Sequence, residues 1–229
     1  DLLCTVNYIC HLFVVKRELL DQVGMLRSAY DGAQDYDFVF RCVEAVKDQE
    51  IYHIPKILYH WRCHEDSTAE NPESKGYAFE AGKRAIEAHY ERIGISAQVF
   101  PGEFPGLYRT RFLRDRDPLI SIIIPNKDHI DDLKRCMNAI DSKSTYKNYE
   151  YVIVENNSTD PATFQYYKDL EKENPKARVV YWDGPFNFSA INNFGAKYAR
   201  GEYFLLNNDT EIINPDCLEE LLGYCMRSD

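Results

Sequence analysis

The stretch "LISIIIP", residues 119–125, is apolar and largely β-branched apart from one serine, and it stops at a proline. A strand with one wet face alternates polar and apolar residues. A run that is apolar on both parities belongs to a strand buried on both faces, as in a parallel sheet covered by helices. Downstream, Leu133, Cys136, Met137 and Ile140 recur at spacings of three and four, which predicts a helix opened by Asp131 or Asp132. "YEYVIVENN" is the next strand, and Asp160 followed by Pro161 is an N-cap and first-turn pair that opens another helix. "ARVVYW" is a third strand. Ser189 is expected to cap a helix reaching Ala199, "GEYFLL" is a fourth strand, and Asn214–Pro215 opens a last helix. Strands alternating with helices predict an α/β fold with a parallel, right-handed, doubly wound sheet.

The earlier part of the chain lacks this rhythm. "VNYICHLFVV" reads as a strand, "RELLDQVG" as a short helix ended by Gly24, and "QDYDFVFRCVEAV" as a helix with an acidic start. "IYHIPKILYHWR" is strand-like, with Pro55 favouring an edge. A charged helix spans about Pro72 to Ile93, so this part is α+β. "VFPGEFPGLYRTRFLRDRDP" is rich in proline, glycine and charge and reads as a linker, which divides the chain into 1–94, 95–117 and 118–229.

With 229 residues, 45% of them hydrophobic, the chain has material for a real core. A formal net charge of −10 argues against a nucleic-acid partner, which needs a clustered basic face. The seven cysteines include no C-x-x-C pair, and reduced cytoplasmic thiols are the expected state. The sequons at Asn156, Asn157, Asn187 and Asn208 are then chance. No apolar run reaches the roughly 20 residues that span a bilayer. The absence of a starting methionine suggests a fragment.

The fourth strand breaks off in "NNDTEI", residues 207–212. An acid at a strand tip is either part of a turn, since Asn and Asp bond their own backbone, or a metal ligand where open α/β sheets hold their ligands. No G-x-G pair and no G-K-[ST] occurs, so a phosphate ligand has neither familiar glycine loop to rest on.

The motifs "SIIIPNKDHIDDLKRCMNAI", "YVIVENNSTDP" and "FNFSAINNFGAKYARGEYFLLNNDTEI", in that order, resemble the nucleotide-binding half of a family 2 glycosyltransferase of the GT-A fold, in particular bacterial enzymes of O-antigen and rhamnan-type polysaccharide assembly. "GAQDYDFVFR" and "LYHWRCHEDST" are similar to acceptor-side segments of the same family, which follow the metal motif in a complete domain but precede it here. The expectation is a piece spanning the end of one such domain and the start of a second. A fold-back of residues 1 to about 70 onto the later half, or a domain-swapped homodimer, is an alternative arrangement.

The resemblance implies an inverting transfer of a hexosyl group from a UDP- or dTDP-sugar to a saccharide or lipid-linked acceptor, assisted by Mg²⁺ or Mn²⁺. It implies a cytoplasmic protein, with the parent peripheral to the inner membrane face. Carried over to this chain, Asp35 is the catalytic base with Asp37 two residues on, and Asp209 is the metal ligand with His64 completing the site. Pro125, Asn126, Asp128, Glu155, Asn156, Asn193, Asn208 and Arg62 are the donor contacts. The family's acidic triplet is reduced to Asn207, Asn208 and Asp209, which leaves one carboxylate. A non-catalytic nucleotide-sugar-binding or assembly module is the competing expectation.

Overall fold

A computed structural model of the chain describes residues 1–9, 12–60, 76–207 and 210–227. It forms two compact units, Asp1–Leu113 and Arg114–Asp229.

In the first unit, helices α1 (Arg17–Val23), α2 (Gln34–Glu44) and α3 (Gly76–Arg92) accompany an antiparallel hairpin of β1 (Ala97–Pro101) and β2 (Tyr108–Phe112). Tyr36 and Phe40 of α2, Ala81, Ala85, Ile86 and Tyr90 of α3, and Val99, Tyr108 and Phe112 of the hairpin form its core. The stretch expected to be a linker is therefore largely folded. Gly102, Pro105 and Gly106 sit in the loop between β1 and β2, while Tyr108, Thr110 and Phe112 alternate inward with period two. Two expected strands do not form. In residues 6–15 no described residue joins a ladder, and Leu12 at φ 44 breaks the extended run. Residues 51–60 likewise join no strand ladder; Pro55 supplies no backbone donor, and Tyr52 and Ile57 are left exposed.

The second unit contains β3 (Ile120–Asn126), α4 (Ile130–Lys143), β4 (Tyr149–Asn156), α5 (Pro161–Glu173), β5 (Ala177–Trp182), α6 (Phe188–Ala196), β6 (Tyr203–Leu206) and α7 (Cys217–Cys225). Its four strands are all parallel, in the order β5-β4-β3-β6. Side-chain parity sorts the two faces. Ile120, Ile122 and Ile124 pack with Leu133 and Ile140 of α4, Tyr167 of α5 and Leu218 of α7. Ile123, Val152 and Val154 pack on the other face with Ile191 of α6. Helices on both faces are what the two-sided apolar strands require.

Local signals are partly as expected. Asp160 caps α5, its carboxylate accepting from the Ala162 N–H at 2.9 Å, with Pro161 next in the chain. Asn187 rather than Ser189 caps α6, which ends at Ala196, and Asp216 precedes α7. At the amino end of the sheet, buried Glu150 accepts from Ser121 Oγ at 2.7 Å and from the Arg200 backbone and guanidinium Nε at 2.7 Å each. Burial pushes its carboxyl up, but these bonds and the guanidinium charge outweigh that and leave it below the usual range.

Helix α6 approaches the sheet at Gly195. A Cβ there would lie 2.7 Å from both Ile123 Cγ2 and Val154 Cγ2. Gly195→Ala is expected to destabilise the second unit by about 1–3 kcal/mol, since overpacking outweighs alanine's better helix propensity. Urea denaturation monitored by the near-ultraviolet signal of Trp182 measures the loss.

Candidate functional site

The carboxyl ends of the four parallel strands lie along one edge of the second unit, which is where open α/β sheets bind ligands. In β3 the odd positions bond toward β6, as shown by the Asn207 N–H donating to the Ile123 carbonyl at 2.9 Å. Strand β6 pairs no further than Leu206 opposite Ile123. Pro125 directs its missing donor toward that same side, past the last pair recorded among the described residues, and so removes no bond from the β4 side of the ladder.

Register places Asn126 opposite Glu155. Glu155 is 3% exposed and accepts from Tyr167 Oη at 2.9 Å, from Ser158 Oγ at 2.6 Å and from the Ser158 N–H. Asn126 donates to the same Tyr167 hydroxyl at 2.8 Å. Asp128, left-handed at φ 57, donates its N–H to Ser158 Oγ at 3.0 Å. Its carboxylate accepts from the Thr159 N–H at 2.9 Å and the Asp160 N–H at 3.0 Å, and from the hydroxyls of Thr159 and Thr163. Asn126, Asp128 and Glu155 thereby join the loops after β3 and β4 to the start of α5. The backbone bonds from Asp160 and Thr159 hold the Asp128 carboxyl down at about 2.

Around this network, Asn156 is buried and Asn193 is exposed on α6. Asn207 donates to Cys136 Sγ at 3.2 Å and to the Thr210 carbonyl at 3.3 Å, while its Oδ1 accepts from the Thr210 N–H. This is the turn chemistry that Asn favours. Asn208 and Asp209, like Arg62 and His64 in the first unit, lie outside the described residues, and no metal-ligating cluster of three His, Cys, Asp or Glu residues occurs among the described ones.

Two contributors escape the sequence reading. Tyr167 sits in "FQYY", which reads as core; it is fully buried, yet its hydroxyl joins Asn126 to Glu155. Burial is the leading cause of its raised phenol pKa, so it remains a neutral donor. Asn192 is 5% exposed, donates to the Phe188 carbonyl at 2.8 Å, and leaves Oδ1 buried without a partner. The adjacent Asn193 draws attention in the sequence, and only helix phase distinguishes the two.

In the first unit, the neighbouring acids of α2 have opposite fates. Asp35 is exposed in the first turn and accepts from Asn7 Nδ2 at 3.2 Å. Asp37 is fully buried between Arg27, whose Nε donates at 2.9 Å, and Arg41, at 3.1 and 3.0 Å. Arg41 also donates to the carbonyls of Val23, Gly24 and Met25, so the ion pair holds the turn after α1. An open cavity of about 480 Å³ next to the start of α2 is lined by Leu26, Arg27, Ser28, Asp31, Gly32 and Gln34. A further cavity, about 360 Å³, runs beside α4 and α5, its lining drawn from helix residues rather than strand ends.

Residues 121–228 match the sequence profile described as Glycosyl transferase family 2. This segment is a family 2 glycosyltransferase domain. Over 99% of its length the chain is 41% identical to an uncharacterized protein of Sinorhizobium fredii, covering 25% of it. It is also 40% identical, over 100% of its length, to the O-antigen biosynthesis protein RfbC of Myxococcus xanthus, covering 18% of that protein. The chain therefore spans a quarter or less of these relatives. A mannosyltransferase from Pyrobaculum calidifontis, solved in complex with GDP-Man and Mn²⁺, superposes with a TM-score of 0.45 at 18% identity, over 50% of this chain and 34% of that one.

Asp37 and Asp128 predict different losses. Asp37→Ala leaves Arg41 buried and unpaired and is expected to destabilise the first unit by about 3–5 kcal/mol in chemical denaturation. Asp128 acts through pH. Its folded carboxyl lies below its unfolded value, so its contribution is complete above the unfolded pKa of 3.8 and is lost as pH falls through about 2. The stability difference between wild type and Asp128→Asn is expected at pH 7 and should shrink toward zero near pH 2, measured by denaturant titration across that range.

Proposed function

We propose that the chain is part of a glycosyltransferase of bacterial surface polysaccharide synthesis, and that its second unit binds the nucleoside diphosphate of a sugar donor at the carboxyl edge of the sheet. The observation that carries this reading is the family 2 match across residues 121–228, which includes that entire edge. The likeness to an O-antigen biosynthesis protein along the whole chain supports the polysaccharide context. The order of motifs, acceptor-side before donor-side, favours two successive transferase domains meeting in this chain.

The residues divide the work by what they have free. Asn126, Asp128 and Glu155 spend their hydrogen bonds internally and shape the edge. Asn193 and the unpartnered Asn192 Oδ1 are left to meet the ligand, the latter as an acceptor for a hydroxyl or ring N–H of the donor, and Asn156, whose Oδ1 accepts from Asn157 Nδ2 at 3.5 Å, offers its amide N–H. Asn207 is committed to its turn, so Asp209 is the carboxylate of this tip that would hold Mg²⁺ or Mn²⁺; one or two carboxylates plus substrate phosphates is a normal set for Mg²⁺. When bound, the ion supplies charge stabilisation for the leaving diphosphate. Asp35, exposed and held by a single neutral amide, is the candidate base that takes the acceptor's proton in an inverting displacement. Asp37, enclosed by two guanidinium groups, instead fixes the helix that carries it.

Calorimetric titration with UDP and dTDP, with and without Mn²⁺, tests the donor site. Binding is expected to require the ion and to vanish in Asp209→Ala; unchanged binding in that variant removes Asp209 from the site, and no nucleotide binding at all in the wild type counts against the donor-site reading. In the intact parent protein, Asp35→Asn is expected to lower kcat by about 10²–10⁴-fold without changing donor affinity.

A further inference from the structure

The segment ahead of α1 reaches the acidic start of α2 through one side chain. Residues 1–9 belong to the first unit, where the Thr5 carbonyl accepts from the Tyr108 N–H of β2 at 2.9 Å and the Leu3 carbonyl accepts from Tyr36 Oη of α2. A three-residue turn follows, closed by the Tyr8 N–H donating to the Val6 carbonyl at 2.9 Å. Asn7 is its central residue, and from there its Nδ2 donates to Asp35 Oδ2 at 3.2 Å. Two successive residues of α2, Asp35 and Tyr36, are thus bonded to this segment.

The other end of the Asn7 amide is unmatched. Asn7 is half-buried, and its Oδ1 is enclosed with no hydrogen-bond partner among the described residues. An enclosed carbonyl oxygen without a donor costs stability, and an apolar side chain of similar shape carries no such cost. Turning the amide over is no remedy, since Oδ1 would then face the Asp35 carboxylate and Nδ2 would take the enclosed place. The bond to Asp35 returns little, because that acid is exposed and water serves it as well. Stability alone therefore gives no reason for an asparagine here.

We propose that Asn7 is a positioning residue for Asp35: its amide holds Oδ2 and sets the plane of the carboxylate, so that Oδ1 is presented to the acceptor's hydroxyl. The inference rests on the reading of Asp35 as the base. In the transfer the acceptor oxygen bonds to the anomeric carbon, its proton passes to Asp35 Oδ1, and the bond to the nucleoside diphosphate breaks with its electron pair leaving on the diphosphate. A free carboxylate turns easily, because the terminal torsion of aspartate has broad preferences. One hydrogen bond from an anchored turn removes that freedom before the acceptor arrives. Asp37 is held in another way, fully buried between two guanidinium groups. Asn7 instead adds no positive charge beside Asp35 and leaves it open to solvent.

Stability and turnover together separate this role from a structural one. Asn7→Leu, close to asparagine in shape, is expected to leave the urea midpoint of the first unit unchanged or to raise it, followed by amide exchange in the α2 peptides of this chain. In the intact parent protein, assayed with UDP- and dTDP-hexoses and a lipid-linked saccharide acceptor, the same substitution is expected to lower kcat by about 10-fold or more with the donor KM unchanged. In an Asp35→Asn background it is expected to change kcat by less than about 2-fold, because the group it orients is gone. Asn7→Ala repeats both measurements with a side chain that cannot clash. Full activity in Asp35→Asn removes the base and the role of Asn7 with it. Where Asp35→Asn is impaired, three results overturn the positioning role and leave the base standing: unimpaired Asn7 variants, losses that multiply in the double variant, or a midpoint lowered by both substitutions.

Discussion

Glu155 stands at the end of a fully buried strand, where a carboxylate has no water to solvate it and must be supplied with donors by the protein. Tyr167 and Ser158 supply them, and each then reaches a second partner: Tyr167 takes Asn126, and Ser158 takes the Asp128 backbone. Asp128 in turn holds the N–H groups that precede α5. One burial constraint therefore determines the loops after β3 and β4 and the position of α5. The edge where a donor would sit is preorganised by groups hydrogen-bonded to one another.

The first unit solves the same physical problem with a different residue pair. Asp37 is buried at the start of a helix whose dipole favours an acid there, and two arginines neutralise it while one of them also secures the carbonyls after α1. The helix so fixed holds Asp35 in its exposed first turn and Glu44 at its far end. An exposed acid and an enclosed one thus lie two residues apart on one helix, separated by the rotation of about 200° that two residues make.

Much of the second unit was legible before any coordinates. Strands with both parities apolar require helices on both sides, and the Asp160–Pro161 cap carries its own local mechanism. What failed was non-local. "VNYICHLFVV" has strand-like composition, yet none of its described residues joins a ladder, whereas "VFPGEFPGLYRTRF" looked like a tether because its turn residues were more conspicuous than the alternation of Tyr108, Thr110 and Phe112. Pairing, rather than composition, makes a strand. Among the candidate residues, the motif letters did not distinguish side chains consumed by the fold from those left over.

The sequence by itself determined the four-stranded parallel architecture and the family of its second unit, because hydrophobic parity, spacing and caps act over a few residues and survive in the order of letters. Tertiary structure decided which polar group is satisfied and which is left unpartnered: Glu155 and Asp37 are enclosed by donors, while Asp35 is exposed and Asn192 Oδ1 remains unmatched. It also brought His89 and Arg92 to Glu44 across long stretches of chain. Those outcomes depend on burial and on partners distant in sequence, and neither is a property of a residue alone.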